Sequence, residues 1–159
     1  MEKVSNIEIE NATILFRNFS GTESKFNRKG DRNFCVVIED PALAQRLNDE
    51  GWNTKILKPR DPPESVRYYL KVNVSFDYVP PMIWKVTSKN KVLLDEDLVG
   101  DLDYVEIKNC DVVIRPYVWE VNGKTGIAAY LKSLYVVVEE DSFEAKYADI
   151  PESDNLPFD

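Results

Sequence analysis

The chain has 159 residues, 43% of them hydrophobic and 11% aromatic, which fits one globular domain with a sizeable core. It has no histidine and only two cysteines, Cys35 and Cys110, so a disulfide framework, a zinc site and histidine-based catalysis are all disfavoured. No apolar run approaches the ~20 residues of a membrane helix, and residues 1–10 lack a signal-peptide pattern. We therefore expect a cytoplasmic protein with buried, reduced thiols, no membrane contact and no cofactor.

The net charge of −8 is unevenly distributed along the chain. Glu139–Asp159 contains eight acidic residues and one lysine, whereas Arg17–Lys91 contains 14 basic and 9 acidic residues. A phosphate backbone responds to local positive patches, so the overall negative charge does not exclude nucleic acid as a ligand.

The first predicted strand, Ile7–Phe19, is followed by a polar loop with glycines at both ends. A run of this kind is usually a solvated surface loop, but an aromatic residue among the cations also favours contact with nucleic acid. The candidate binding residues here are Lys25, Phe26, Arg28, Lys29 and Arg32.

A second strand is predicted at Asn33–Glu39, and a helix follows it. Asp40 is a typical N-cap, Pro41 suits the first helical position, and Gly51 marks the end. The short strand Trp52–Leu57 then leads into a proline-rich loop. Its cations predict a basic edge at Lys55, Lys58 and Arg60.

The segment Val66–Tyr78 alternates more regularly than any other, which predicts a half-buried strand. The inward side chains are those of Val66, Tyr68, Leu70, Val72, Val74 and Phe76. The outward side chains are those of Arg67, Tyr69, Lys71, Asn73 and Ser75.

A further strand is predicted at Met82–Thr87, and Leu94–Asp103 is predicted to form one or two helical turns. Beyond them, Asn122-Gly123 separates two apolar runs within Asp111–Ser133 and predicts a β-hairpin with a type I′ turn. The predicted opposite residues are Trp119 with Gly126, Tyr117 with Ala128, Arg115 with Tyr130, and Val113 with Lys132.

One face of this hairpin is apolar and is predicted to join the core: Val112, Ile114, Pro116, Val118, Ile127, Ala129 and Leu131. The other face combines cations with aromatics: Arg115, Tyr117, Trp119, Tyr130 and Lys132. Aromatic rings stack on bases and cations follow phosphates, so we expect single-stranded nucleic acid on this face and on the outward face of Val66–Tyr78. In this hypothesis Tyr69, Tyr117, Trp119 and Tyr130 stack bases, while Arg67, Lys71, Arg115 and Lys132 neutralise phosphates.

Six to eight long strands with one definite helix predict an all-β fold, a closed or nearly closed antiparallel β-barrel with one or two short helices. We expect a domain at residues 1–140 and a flexible acidic tail at 141–159. A short helix at Ser142–Tyr147 is an option within that tail, and disorder is expected from Asp149 onward.

Two segments resemble enzymatic motifs in part. Gly123-Lys124-Thr125 resembles the end of a P-loop, but it lies in a hairpin and lacks the upstream glycine. Asp95–Glu106 matches a calcium loop in part, but Val99 occupies a ligand position. The predicted protein is therefore not an enzyme. A protein-interaction module using the aromatic face, or a metal-dependent nuclease using these carboxylates, remains the alternative.

The last eight residues, Glu152–Asp159, resemble the acidic tip of bacterial single-stranded-DNA-binding proteins, although Asp159 follows the phenylalanine that ends the chain in that family. The resemblance implies that replication or recombination proteins bind Asp154, Leu156, Pro157 and Phe158.

Two longer stretches resemble a phage-encoded family of single-stranded-DNA-binding proteins. They are Phe16–Phe34, with its FRNFSG and RNF motifs, and Trp119–Lys132, with WEVNGKTG followed by AYLK. This resemblance implies an OB-type barrel that binds single-stranded DNA without strong sequence preference in phage replication or recombination. It leaves homo-oligomerisation open.

Overall fold

The computed structural model describes residues 4–57 and 67–139, and these residues form nine strands and two helices. The elements are β1 (Ile7–Ile9), β2 (Ile14–Asn18), β3 (Arg32–Ile38), α1 (Pro41–Glu50), β4 (Thr54–Leu57), β5 (Arg67–Val74), β6 (Met82–Val86), β7 (Lys91–Leu94), a 3-10 helix (Val99–Asp103), β8 (Ile107–Val121) and β9 (Lys124–Val138). Lys58, Arg60, Val66 and the predicted tail, with its optional helix and its partner-binding residues, lie outside the described residues. No helix within the described ranges has the length and apolar composition needed to cross a membrane.

The strands form one sheet in the order β1-β8-β9-β5-β3-β2, with β4 beside β5 and β6 between β9 and β7. Most neighbours are antiparallel, but β9 pairs in parallel with both β5 and β6, which the sequence reading did not predict. These two strands follow one another along the same edge of β9, since Asn73 lies opposite Tyr130 and Met82 opposite Ser133. The path ends at β1 and β2, so the sheet is open.

A single cluster of buried side chains from the sheet and both helices forms the core. The predicted alternation of β5 is confirmed, because Leu70, Val72 and Val74 are buried while Arg67 and Lys71 are exposed. The predicted caps of α1 are also present. The Asp40 carboxylate accepts a hydrogen bond from the Ala42 N–H at 2.9 Å, and Gly51 ends the helix with φ of 101°.

Two predicted elements differ from the structure, and one strand was not predicted. The first predicted strand is two strands, because Asn11 adopts a φ of 52° and turns the chain between β1, which pairs with β8, and β2, which pairs with β3. Strand β7 was missed, since most of its side chains are exposed and it shows no alternation. Of the helical segment predicted at Leu94–Asp103, only the second half, Val99–Asp103, is helical, and it is a 3-10 helix.

The hairpin of β8 and β9 follows the predicted register from its turn down to Arg115, which lies opposite Tyr130. The predicted pairing of Val113 with Lys132 is wrong, because a bulge at Lys132 places Val113 opposite Ser133. The bulge changes which side chains of β9 face the core. They are Ile127, Ala129 and Leu131 before it, and Leu134, Val136 and Val138 after it.

The predicted core face of the hairpin also ends earlier than expected. Val118 is 57% exposed and Pro116 is only half-buried, because the tip of β8 extends past the last core residue of this strand, Ile114. The β8 side of the hairpin tip is therefore exposed, whereas Ile127, opposite Val118 on β9, is buried.

Candidate nucleic-acid interface

Outward side chains form a continuous row across four neighbouring strands. Asn33 of β3 lies opposite Asn73 of β5, Asn73 lies beside Tyr130 of β9, and Tyr130 lies opposite Arg115 of β8. The Asn73 side-chain amide donates a hydrogen bond to the carbonyl oxygen of Ala129 at 3.2 Å, which ties β5 to β9. The two strands predicted to present aromatic and basic residues are thus direct neighbours.

Three of the predicted residues form a compact group at the β8–β9 end of this row. The Tyr117 and Tyr130 rings meet edge to face with centroids 5.9 Å apart, and the Arg115 guanidinium carbon lies 5.0 Å from the Tyr130 centroid. Arg115 makes no ion pair with any described residue, and its buried Nε has no hydrogen-bond partner among them. Its charge is therefore not neutralised by a carboxylate of the described fold.

Trp119 lies against its cross-strand partner Gly126. A Cβ built on Gly126 would lie 2.5 Å from Cζ2 and 2.7 Å from Cε2 of the indole, far inside normal contact distance. The ring therefore depends on the absence of a side chain at this position. Trp119 is 37% exposed and lines a groove of about 460 Å³ together with Trp52 and Lys71.

Two further grooves border the outward side of β5. One of about 590 Å³ is lined by Lys71, Phe16 and Phe26, and the other, of about 350 Å³, by Asn73, Tyr130 and other residues. Because Lys71 and Asn73 border more than one groove, the concave surfaces meet along β5. We call the following residues the platform face: Lys71, Asn73, Arg115, Tyr117, Trp119, Tyr130 and Lys132.

Tyr69 and its neighbours lie at the other end of β5. The Tyr69 ring meets Phe16 edge to face at 6.2 Å and is half-buried, and Lys55 is its cross-strand neighbour on β4. Lys55 and Arg67 are exposed, so this end of the strand carries positive charge next to a partly covered aromatic ring.

The loop at residues 20–31 is held by its own polar groups. The Gly30 N–H donates to the Gly21 carbonyl oxygen at 2.8 Å. The side-chain nitrogen of Asn27 lies within 3.0 Å of three backbone carbonyl oxygens, those of Thr22, Arg28 and Asp31. This loop displays Phe26, which is 88% exposed and has the Lys25 ammonium 5.7 Å from its ring. The organising role of Asn27 was missed, because a polar residue in a polar loop gives no distinguishing signal.

Two predicted cations, Arg28 in this loop and Arg32 just after it, already have acidic partners. Arg32 pairs with Glu96 at 3.3 Å and lies over the Phe76 ring at 5.8 Å, which leaves only 20% of its side chain exposed. Arg28 pairs with Asp31 at 3.4 Å, but both side chains are largely exposed and such a pair is weak. Arg32 is therefore the less accessible of the two to a phosphate.

The acidic segment considered as a metal loop has a structural role instead. The Asp103 carboxylate accepts hydrogen bonds from the backbone N–H of Phe19 at 2.7 Å and from the N–H and hydroxyl of Ser20 at 3.0 and 2.6 Å. Arg17 donates to the carbonyl oxygens of Leu102 and Val105 at 2.7 and 2.8 Å. These contacts fasten the segment to β2 and the loop that follows it. Within residues 4–57 and 67–139, no group of three or more Cys, Asp or Glu residues is arranged to hold a metal ion.

Both cysteines are buried free thiols, as predicted. Burial, reinforced by nearby Asp111, raises the pKa of Cys110 to about 11, and its thiol donates to the Ala12 carbonyl oxygen at 3.1 Å. Burial also raises the pKa of Cys35, which lies opposite Lys71 of the neighbouring strand β5.

A largely antiparallel sheet with a helix between early strands, grooves on one face, and exposed aromatics beside cations defines an OB-like fold suited to single-stranded nucleic acid. The chain belongs to the family described as "Putative phage ssDNA-binding domain", whose model matches residues 1–158. This match confirms the resemblance found in the sequence and the single-stranded-DNA-binding function that it implies.

Solved structures give the same fold. The chain is similar to the single-stranded-DNA-binding protein of bacteriophage Enc34 in complex with ssDNA, with 12% identity, a TM-score of 0.56, and coverage of 87% of this chain and 89% of the other. The C-terminally truncated Enc34 protein gives a TM-score of 0.51 at 12% identity, covering 86% and 87%. The similarity to the gp2.5 protein of bacteriophage T7 has 12% identity and a TM-score of 0.41, with coverage of 93% of this chain and 95% of the other. A comparison with curated proteins found no match.

Proposed function

We propose that this chain binds single-stranded DNA on its platform face, without strong sequence preference, during phage DNA replication or recombination. The observation that carries the proposal is the group formed by Tyr117, Tyr130 and Arg115, two rings in edge-to-face contact with an unneutralised guanidinium beside them. Rings offer a stacking surface to any base, while a cation next to them meets the phosphate that links one base to the next.

The expected contribution of each ring is substantial. Stacking of one base on an aromatic side chain contributes about 1–3 kcal/mol and does not depend on base identity. Trp119 supplies the largest ring, at the edge of a groove that also contains Lys71. Tyr69 is half-buried, so we expect it to contribute less than Tyr117 or Trp119.

Cations outside the platform face extend the positive surface. In this proposal Lys25, Arg28, Lys29 and Arg32, with the aromatic ring of Phe26 among them, form one flank, and Lys55 and Arg67 form the other. Lys58 and Arg60, which lie outside the described residues, are proposed to bind phosphates as well. Each phosphate neutralised releases counterions, so affinity should fall steeply as salt concentration rises.

The acidic C-terminal segment is assigned two roles in this proposal, with the binding domain at residues 1–140 and the tail at 141–159. Its charge, −7 from Glu139 to Asp159, competes with DNA for the platform face. When DNA displaces it, Leu156, Phe158 and their neighbours Asp154 and Pro157 become available to replication or recombination proteins in the host cytoplasm. Deleting residues 149–159 should tighten binding to oligo-dT, and unchanged or weaker affinity would remove the competition.

Tryptophan fluorescence tests the main proposal. Titration with oligo-dT across a range of salt concentrations should quench the wild-type protein, and the affinity should show a steep salt slope. Trp119→Ala should lose much of the quenching and affinity, whereas Trp119→Phe, which keeps a ring, should retain most of the affinity. Trp52 and Trp84 are present in all three proteins, so the difference between the titrations reports Trp119. Normal folding without any binding would instead favour a protein-interaction module.

We propose no catalytic role for the chain. Labelled single-stranded DNA incubated with the protein and Mg²⁺ should remain intact. Cleavage that disappears on substitution of Asp95 or Asp97 would show a nuclease instead.

A further inference from the structure

A second group of aromatic rings and a cation lies on the outward side of β6, β7 and β9. Trp84 and Tyr135 are cross-strand neighbours with ring centroids 6.5 Å apart and planes inclined by 18°. The Lys91 ammonium lies 4.3 Å from the Trp84 centroid and 5.2 Å from that of Tyr135. We call Trp84, Tyr135 and Lys91 the distal aromatic group.

The distal aromatic group repeats the composition of the platform face. There, Arg115 lies 5.0 Å from the Tyr130 ring, and Tyr117 contacts the same ring from one side. In both places a cation lies over an adjacent aromatic pair on the outward side of the sheet, Arg115 over one ring of its pair and Lys91 over both rings of its own. Lys91 and Tyr135 are both exposed, the latter at 40%, so a ligand can reach the group.

Strand β9 connects the two groups. The bulge at Lys132 shifts the alternation, so Tyr130 before it and Tyr135 after it both face outward although they are five residues apart. Without the bulge, an odd number of steps would place the two rings on opposite faces. The exposed Lys132 lies between them along the strand.

The separation suits a continuous strand of DNA. Five residues of β-strand span no more than about 17 Å at ~3.3 Å per residue. That length corresponds to about five nucleotides at the ~3.4 Å spacing of stacked bases. Binding sites of ~4–16 nucleotides are usual for one OB fold, so a site that includes both groups is of ordinary size.

We propose that single-stranded DNA continues from the platform face past Lys132 and onto the distal aromatic group, where one base stacks on Trp84 and Lys91 turns from the rings to a phosphate. This inference rests on the proposed function. It makes Trp84, Tyr135 and Lys91 part of the binding site. The sequence did not suggest these residues, because β7 was not predicted and because regular alternation without the bulge would place Tyr135 on the inward face.

The length of the oligonucleotide separates the two groups. In the Trp119→Phe protein, Trp84 is the remaining accessible indole, since Trp52 is buried. Oligo-dT of ~16 nucleotides should quench this protein clearly, whereas oligo-dT of ~6 nucleotides, which fills the platform face first, should quench it little.

Two variants test the same point by affinity. Trp84→Ala and Lys91→Glu should each weaken binding of the ~16-nucleotide probe by about 5- to 30-fold and leave the ~6-nucleotide probe within about twofold of wild type. Lys91 is exposed, so its substitution tests the proposal even if Trp84→Ala is destabilised. Two results together would overturn the inference: Lys91→Glu binds the ~16-nucleotide probe as tightly as wild type does, and that probe does not quench the Trp119→Phe protein. The distal aromatic group would then be a surface for a protein partner.

A failure of the platform face would look different. In that case Trp119→Ala and Arg115→Gln would bind both probes as tightly as wild type does. If only the distal extension is wrong, these two variants still weaken both probes while the variants at Trp84 and Lys91 weaken neither.

Discussion

Replacing Gly126 with alanine should displace the Trp119 ring without removing it. The new Cβ would lie 2.5 and 2.7 Å from two indole carbons, whereas carbon atoms in contact prefer about 3.5–4.0 Å. The ring must therefore move by roughly 1 Å or more, or adopt another rotamer. The backbone of Gly126 is not in the left-handed region, so alanine itself is tolerated there and the chain should fold normally.

The displaced ring should lose most of its stacking on DNA. We expect Gly126→Ala to weaken oligo-dT binding by about 1–2 kcal/mol, roughly 5- to 30-fold, close to the effect of Trp119→Ala. Fluorescence anisotropy with labelled oligo-dT measures the affinity, and the emission of the free protein reports the changed surroundings of the indole.

A double variant provides the control. In the Trp119→Ala protein there is no ring for the new methyl group to meet, so adding Gly126→Ala should change affinity by less than about 0.5 kcal/mol. Wild-type affinity in the single Gly126→Ala variant, or a further loss of the same size in the double variant, would refute the idea that Gly126 acts by holding Trp119.

Three further predictions concern charge, structure and pH. Arg115→Gln should reduce the salt slope of oligo-dT binding by about one, while Arg46→Gln on α1, the matched control, should leave it unchanged in the same titrations. Asp103→Ala should lower the free energy of unfolding by about 2–3 kcal/mol in urea, because three donors lose a carboxylate acceptor, and a change below about 0.5 kcal/mol would contradict that role. The Cys110 pKa is raised from 9.0 to about 11, so the stability due to this thiol is complete below pH 9.0 and is lost as pH rises towards 11. Cys110→Ala should therefore show a smaller loss of unfolding free energy across that range, and an identical pH profile would exclude the effect.

Local signals predicted much of the fold and of the platform face. The Asn122-Gly123 turn fixes the register of the hairpin tip, because a two-residue type I′ turn leaves only one pairing for the strands beside it. Alternation in β5 correctly separated the exposed Lys71 from the buried Leu70. The caps of α1 depend on side chains next to the helix in sequence, and they too were predictable.

Long-range pairing is what the sequence did not disclose. Asn73 neighbours Tyr130 because β5 and β9 pair in parallel. The two strands are not joined by a short turn, so no local sequence feature determines their register. Arg32 looked like a free cation until the fold brought Glu96 to it from 64 residues away.

The bulge at Lys132 has no local signature either, since its residues have ordinary strand propensity. Because of the bulge, Val113 lies opposite Ser133 and not opposite Lys132, and the Tyr135 side chain faces outward. Trp84 and Lys91 were then recognisable as neighbours of that ring only in the folded chain.

Where DNA lies on the surface is the central claim, and backbone chemical-shift mapping tests it most directly. At 18.3 kDa the protein suits amide-resolved NMR with isotope labelling. Adding oligo-dT should shift the amides of Lys71, Tyr117, Trp119 and Tyr130 together and leave the amides of α1 near their free positions. Shifts concentrated on α1 or on the 3-10 helix, with the platform face unchanged, would contradict the account.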